Sequence, residues 1–105
     1  TRNYPSATVL ALERRKGATE VDVLDGRQVR QIYFDAMNRW GLTRTELQQS
    51  ELPALITLAI DNLYREYTID DAALIDSPDG EYYLIEVESS AGQSTLRIST
   101  EGEVL

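Results

Sequence analysis

The 105-residue chain contains no cysteine and no histidine. Thiol nucleophiles, serine–histidine relays, zinc fingers and any His-ligated metal site are therefore excluded. Missing cysteines leave the compartment open, because an exported domain without disulfides and a cytosolic one look alike in this respect. Basic residues are scarce: 10 Lys+Arg stand against 18 Asp+Glu, a formal charge of −8. Only Arg14, Arg15 and Lys16 are adjacent among them. Such a chain repels a phosphate backbone, so no nucleic-acid partner is expected. No apolar run approaches the roughly 18–20 residues that cross a bilayer, so no membrane insertion is expected. The start, TRNYPSATVL, lacks a basic-then-apolar leader and reads as soluble and already mature. A chain of this size buries only about 60–65% of its unfolded surface, enough for one modest core and too little for an elaborate cleft besides.

What is present is an internal echo. Val21-Asp22-Val23 corresponds to Ile85-Glu86-Val87, 64 positions later, and Ile32, Phe34, Asn38 and Trp40 correspond to Leu96, Ile98, Gly102 and Val104 at the same offset. Upstream, Tyr4, Leu10, Leu12 and Glu13 match Tyr67, Ala73, Ile75 and Asp76 at an offset of 63. The slip of one residue falls in polar, turn-like stretches, where insertions are tolerated.

Each half reads as a run of antiparallel strands. Tyr83, Ile85 and Val87 alternate with Tyr82, Leu84, Glu86 and Glu88, the period of a strand with one buried face. Leu96 and Ile98 continue the pattern beyond Ser89–Gln93, which suggests a hairpin pairing Ile85 with Ile98 and Val87 with Leu96, with Glu86 opposite Arg97. Thr100–Glu103 then forms a tight turn into a short strand at Val104-Leu105. In the first half Val21 and Val23 lie against Ile32 and Phe34, and Asn38 takes the place of Gly102, a substitution suited to positive φ. A two-residue turn at Asp25-Gly26 is set aside for a longer connection, by analogy with the second half.

One convincing helix is expected over about 53–65. Leu52, Leu55, Ile56, Ala59, Ile60 and Leu63 recur at helical spacing, Pro53 suits the first turn, and Ser50 or Glu51 can serve its start. The fold expected is α+β: antiparallel strands from two related repeats, 1–46 and 47–105, with this helix packed on one face. The first repeat lacks the corresponding helix of about fifteen residues. Either the chain is a truncated or mature piece of two helix-plus-sheet units, or the second helix alone covers both sheets.

The phrases Tyr33-Phe34-Asp35-Ala36-Met37-Asn38-Arg39-Trp40, Glu51-Leu52-Pro53-Ala54-Leu55-Ile56 and Leu96–Leu105 resemble the PepSY-like family, whose members are often described as beta-lactamase-inhibitor-like. The pattern is a strand ending in an aromatic-Asp pair, a turn with Gly, a Trp or Val, and a helix opened by Leu-Pro. Asn38 stands where Gly is usual, and the first helix is absent. The resemblance implies an exported, usually periplasmic, helix-on-sheet domain and no enzyme activity or cofactor.

The strongest candidate for function is the sheet face left uncovered by the helix, carrying Glu20, Asp22, Tyr33, Tyr82, Leu84, Glu86 and Arg97. Tyr and Arg are frequent interface anchors. The plain alternative is a solvated face whose side chains pack on one another. Trp40 is either a further anchor or a filler of the seam between the halves. Acids at Asp70, Asp71, Asp76, Asp79 and Glu81 do not follow a calcium loop: with Gly80 at the turn position, Ile75 falls where the first carboxylate is required. They read as a turn and a helix-exit loop. Glu86 and Glu88, two apart on one strand face, carry no pocket signal for acid–base work. The expectation is a non-catalytic domain that binds a periplasmic protein, with an accessory domain acting through self-association as the alternative. No metal and no cofactor are expected.

Overall fold

The computed structural model describes residues 7–105. Tyr4, the expected counterpart of Tyr67, lies outside the described residues. The described elements are β1 (Thr8–Arg15), β2 (Ala18–Asp25), β3 (Gln28–Phe34), β4 (Trp40–Glu46), a 3-10 turn (Gln49–Glu51), α1 (Ala54–Asp61), β5 (Thr68–Ser77), β6 (Gly80–Ser89) and β7 (Gly92–Ser99). The strands form one antiparallel sheet in sequence order, with β1 and β7 at its edges. This is the expected α+β arrangement of an antiparallel sheet with a single helix.

The chain divides into two compact units. One comprises the chain through Glu46 with Asp76–Gly80, and the other Leu47–Ile75 with Glu81–Leu105. In the first, β2 and β3 are joined by the two residues Gly26-Arg27, with Gly26 at φ 64°. Val21 consequently faces Ile32 and Val23 faces Arg30. In the second, Ser90-Ala91 join β6 to β7 before Gly92 at φ 106°. Ile85 then faces Leu96, Tyr83 faces Ile98, Leu84 faces Arg97 and Glu86 faces Thr95. The expected registers were thus two residues off, because both connections are tight turns rather than long ones. A slip of two keeps every side chain on its face, so the buried set is unaffected.

Two further turns are alike at every backbone bond. The Asp35 N–H donates to the Arg39 carbonyl and the Asn38 N–H to the Asp35 carbonyl, each over 2.9 Å; Ser99 N–H to Glu103 and Gly102 N–H to Ser99 do the same over 2.8 and 2.9 Å. Asp35 Oδ1 accepts from the N–H groups of Met37 and Arg39, as Ser99 Oγ does from Glu101 and Glu103. Asn38 and Gly102 both have positive φ, 59° and 88°. Past the second turn, Val104 bridges Ile98.

The helix is shorter than its apolar stripe. Leu52 is held extended before Pro53, and Pro53 supplies the carbonyl that accepts from Ile56 and Thr57. Glu51 serves the 3-10 turn instead, accepting from the Gln48 N–H over 2.8 Å. At the far end the Ile60 carbonyl accepts from both Leu63 and Tyr64, a tightened last turn that stops the helix at Asp61 rather than 65. The stripe had counted Leu63, which is 49% exposed. Tyr64 and Tyr67 pack on the core beyond it.

That core joins Ile56, Ala59 and Ile60 of α1 and Leu52 to Ala72, Ile85, Val87 and Ile98 of the strands. Burying each Ile or Val contributes about 1.5–3 kcal/mol, so the inward faces of β6 and β7 fix where the helix lies. Asp70, Asp71 and Asp76 belong to strand β5 and not to a helix-exit loop, because Leu47 N–H donates to the Ala72 carbonyl within an extended run whose Ala72, Ala73 and Ile75 are buried.

Candidate functional site

Strand alternation decides which candidates share a face. On β6 and β7, Ile85, Val87 and Ile98 point into the core, so Tyr82, Leu84, Glu86 and Arg97 project together from the other side. Arg97 sits directly across from Leu84, with its guanidinium carbon 5.4 Å from the centre of the Tyr82 ring. The cation thus shares its place with a half-buried aromatic ring and a half-buried leucine. Glu86 is exposed beside a shallow depression of about 160 Å³, lined also by Gln93, Ser94 and Thr95.

In the first unit Tyr33 faces Glu20 across β2–β3 and Leu42 across β3–β4. Glu20 shares a hydrogen bond with Asp22, which raises its pKa above the usual carboxylate value, and burial and the Asp22 charge add to this. One Asp22 oxygen is buried with no protein partner. The Tyr33 phenol is pushed up by burial first and then by the neighbouring Glu20. Arg44, 2.6 Å from Glu46, lies on the same side and opposes that shift. Tyr33 and Glu20 border a cavity of about 270 Å³ whose wall includes Ala18, Phe34 and Glu13.

Trp40 does not share this face. A bulge between Tyr33 and Phe34 brings Trp40 opposite Phe34, and its indole N–H donates to Thr43 Oγ1 over 2.8 Å. Thr43 is buried across from Ile32, so Trp40 is on the apolar side. The same side carries a cation that pattern reading overlooked. Arg30 Nη1 donates to the buried Thr45 over 2.7 Å, and Nη2 donates to Gln28 and Asp25 over 3.0 and 3.3 Å. An arginine at a nominally apolar position gives no sequence signal, because its partners lie on three different elements.

A third depression, about 440 Å³, lies among Leu63, Tyr64, Arg65, Glu66, Ser89, Ser90 and Ala91. Among the described residues no group of three acidic, His or Cys side chains is placed to hold a metal ion. The Tyr67 phenol is pushed up to about 12 by burial and by its 2.7 Å donation to the Asp61 carboxylate. That bond ties the end of α1 to the start of β5.

Solved structures share this arrangement. A BLIP-like protein from Bacteroides fragilis superimposes with a TM-score of 0.87 over 99% of this chain and 76% of its own, at 25% sequence identity. The fold is BLIP-like. DUF2874 family proteins from Bacteroides ovatus and Bacteroides uniformis match with TM-scores of 0.84 and 0.85, covering 99% of this chain and 77% and 79% of theirs, at 19% and 18% identity. A protein from Bacteroides eggerthii, named for an inferred periplasmic location, gives 0.82 at 18% identity, over 99% of this chain and 78% of its own. No family model and no curated protein sequence matches the chain. Among the described residues no helix is long and apolar enough to cross a membrane.

Proposed function

We propose that this chain is a non-catalytic, exported domain that binds a protein through the strand faces turned away from its apolar side. The observation that carries the reading is Arg97 held over the Tyr82 ring beside Leu84, a cation, an aromatic and an aliphatic side chain converging on an outward face. Such a group supplies anchoring area with little rotamer entropy left to lose. Glu86 adds charge beside this group, and Tyr33 is a separate candidate anchor on β3 of the first unit. Trp40 belongs to the proposal only as a support of β4. The BLIP-like neighbour and the one named for an inferred periplasmic location support binding and export. The PepSY-like motifs and the recurrence of the Asp35 turn bonds at Ser99 support two related units, 1–46 and 47–105, the first without its helix.

The test is comparative capture from a periplasmic extract. Wild-type chain is expected to retain a partner that Tyr82→Ala with Arg97→Ala loses by tenfold or more, the melting temperature staying within about 2 °C, since both side chains lie outside the core. Equal retention by wild type and variant would sink the reading. The alternative, an accessory domain acting through self-association, is favoured by the exposed Val9, Leu10 and Leu12 of β1.

A further inference from the structure

We infer that a hollow over Ala18, on the outward side of β1, β2 and β3, receives an alkylammonium group, carried by a lysine side chain or by a small free amine. The site belongs to the first unit and does not rest on the Tyr82–Arg97 group. Its frame follows from register. Glu13 faces Glu20, Arg15 faces Ala18 and Glu20 faces Tyr33, so these five side chains share one side of the sheet. Ala18 is the smallest of them, and the shortfall leaves the cavity of about 270 Å³ that they border together with Phe34. Cavities that enclose drug-sized ligands span roughly 300–1,000 Å³, so this one fits a single side chain or a small amine.

Charge selects the ligand within that shape. Among the described residues, the charged groups that act on the Glu20 carboxylate are Asp22 and Glu13, both acids. The Tyr33 phenol hydrogen-bonds to it but brings no cation. Asp22, two residues along the same face of β2, keeps one buried oxygen without a protein partner, and a buried acceptor left in that state points to a missing donor. Arg15, the one cation among the residues that border the cavity, is engaged by Glu13 over 3.0 Å with its side chain 81% exposed. A surface pair of this kind is weak and yields readily to a competitor. An anion would meet three carboxylates, and an uncharged group would leave Glu20 and Asp22 as they are. An ammonium brings three donors on an alkyl stem: the donors match the carboxylates, and the stem matches the Ala18 methyl and the Tyr33 ring, whose face also attracts a cation. Glu20 is held above the usual carboxylate value by its hydrogen bond with Asp22 first and by burial next; with a cation seated between them, both acids can ionise.

Titration of the ¹⁵N-labelled 105-residue chain, followed by its amide shifts in about 10 mM sodium chloride, tests this. The probes are n-butylammonium, Nα-acetyl-lysine-N-methylamide and, as the uncharged counterpart, n-butanol, each against a reference matched in ionic strength. Both ammonium probes are expected to move the amides of Ala18, Glu20 and Tyr33 along a saturable curve with a Kd of about 1–10 mM, since one ion and a short stem make a small contact. The butanol should bind at least about tenfold more weakly. Of the two ammonium probes, a tighter lysine derivative assigns the site to a side chain of another protein, and a tighter n-butylammonium assigns it to a free amine. Glu20→Gln should weaken both by about tenfold. Ala18→Leu, at an exposed strand position, should abolish binding by filling the hollow with every charge kept. Arg15→Ala should tighten binding about two- to threefold by removing the competing cation. Butanol binding as well as n-butylammonium, undiminished binding by Glu20→Gln or Ala18→Leu, or no saturable shift with either ammonium probe would each overturn the inference. Ala18→Leu decides alone if circular dichroism shows Glu20→Gln unfolded. Tyr82→Ala with Arg97→Ala should bind the probes as wild type does, which separates this result from the partner test.

Discussion

At the scale of single residues, the same turn is built twice with different chemistry. Asp35 and Ser99 each accept two backbone N–H groups, and the carboxylate is held below the usual range by the N–H of Arg39 first and that of Met37 next, helped by the Arg39 side chain at 2.9 Å. The positive-φ position is Asn38 in one turn and Gly102 in the other. Asn38→Ala should cost about 1 kcal/mol, because alanine lacks the short polar side chain whose local hydrogen bonding lets asparagine tolerate left-handed backbone, and Asn38→Gly close to nothing. Gly102→Ala should cost more, about 2–3 kcal/mol, because a Cβ there meets Leu55 Cγ at 3.0 Å and the Leu55 carbonyl oxygen at 3.3 Å in addition to the φ penalty. Urea denaturation of the three variants checks the order. Equal losses at the two alanines would mean that the helix yields freely at Leu55.

At the scale of elements, α1 is apolar on both sides, and only one side is used. Ile56 and Ile60 are fully buried while Leu55 and Leu58 are 50% and 57% exposed. Ile60→Ala should therefore cost about 2–5 kcal/mol and Leu58→Ala less than about 1 kcal/mol, read as midpoint shifts in the same titration. This asymmetry explains what the sequence made legible and what it hid. Inward alternation of Tyr83, Ile85 and Val87 was readable because period-two burial is a property of the strand itself. Register was not, because Ser90-Ala91 carry no Asn or Gly at the centre of the turn, and the permissive glycine comes one residue late at Gly92. The end of α1 was hidden for a related reason: Leu63 keeps the helical spacing, yet the chain has already tightened onto the Ile60 carbonyl. Strand β5 carries Asp70-Asp71 near its start and places Ala72 and Ala73 in burial side by side, which defeats any two-residue period. Of the candidate face, the grouping of Tyr82, Leu84, Glu86 and Arg97 followed from parity alone. The position of Trp40 depended on a bulge that no residue announces.

At the scale of the whole molecule, the charge of −8 is unevenly shared: residues 1–46 carry a net +2 and residues 47–105 a net −10. Ten uncompensated acids in 59 residues repel one another over a Debye length of about 30 Å at 10 mM salt, and of about 3 Å at 1 M. The protein should therefore melt several degrees higher in 0.5 M sodium chloride than in 10 mM, because screening removes a repulsion that folding concentrates. Glu103→Lys removes one acid and adds one base in the second half, so it should reduce that salt dependence. Melting series of wild type and variant across the same salt range check both expectations. If salt left the melting temperature unchanged, or the variant responded to it as wild type does, repulsion among the acids of the second half would not be what limits the stability of this chain.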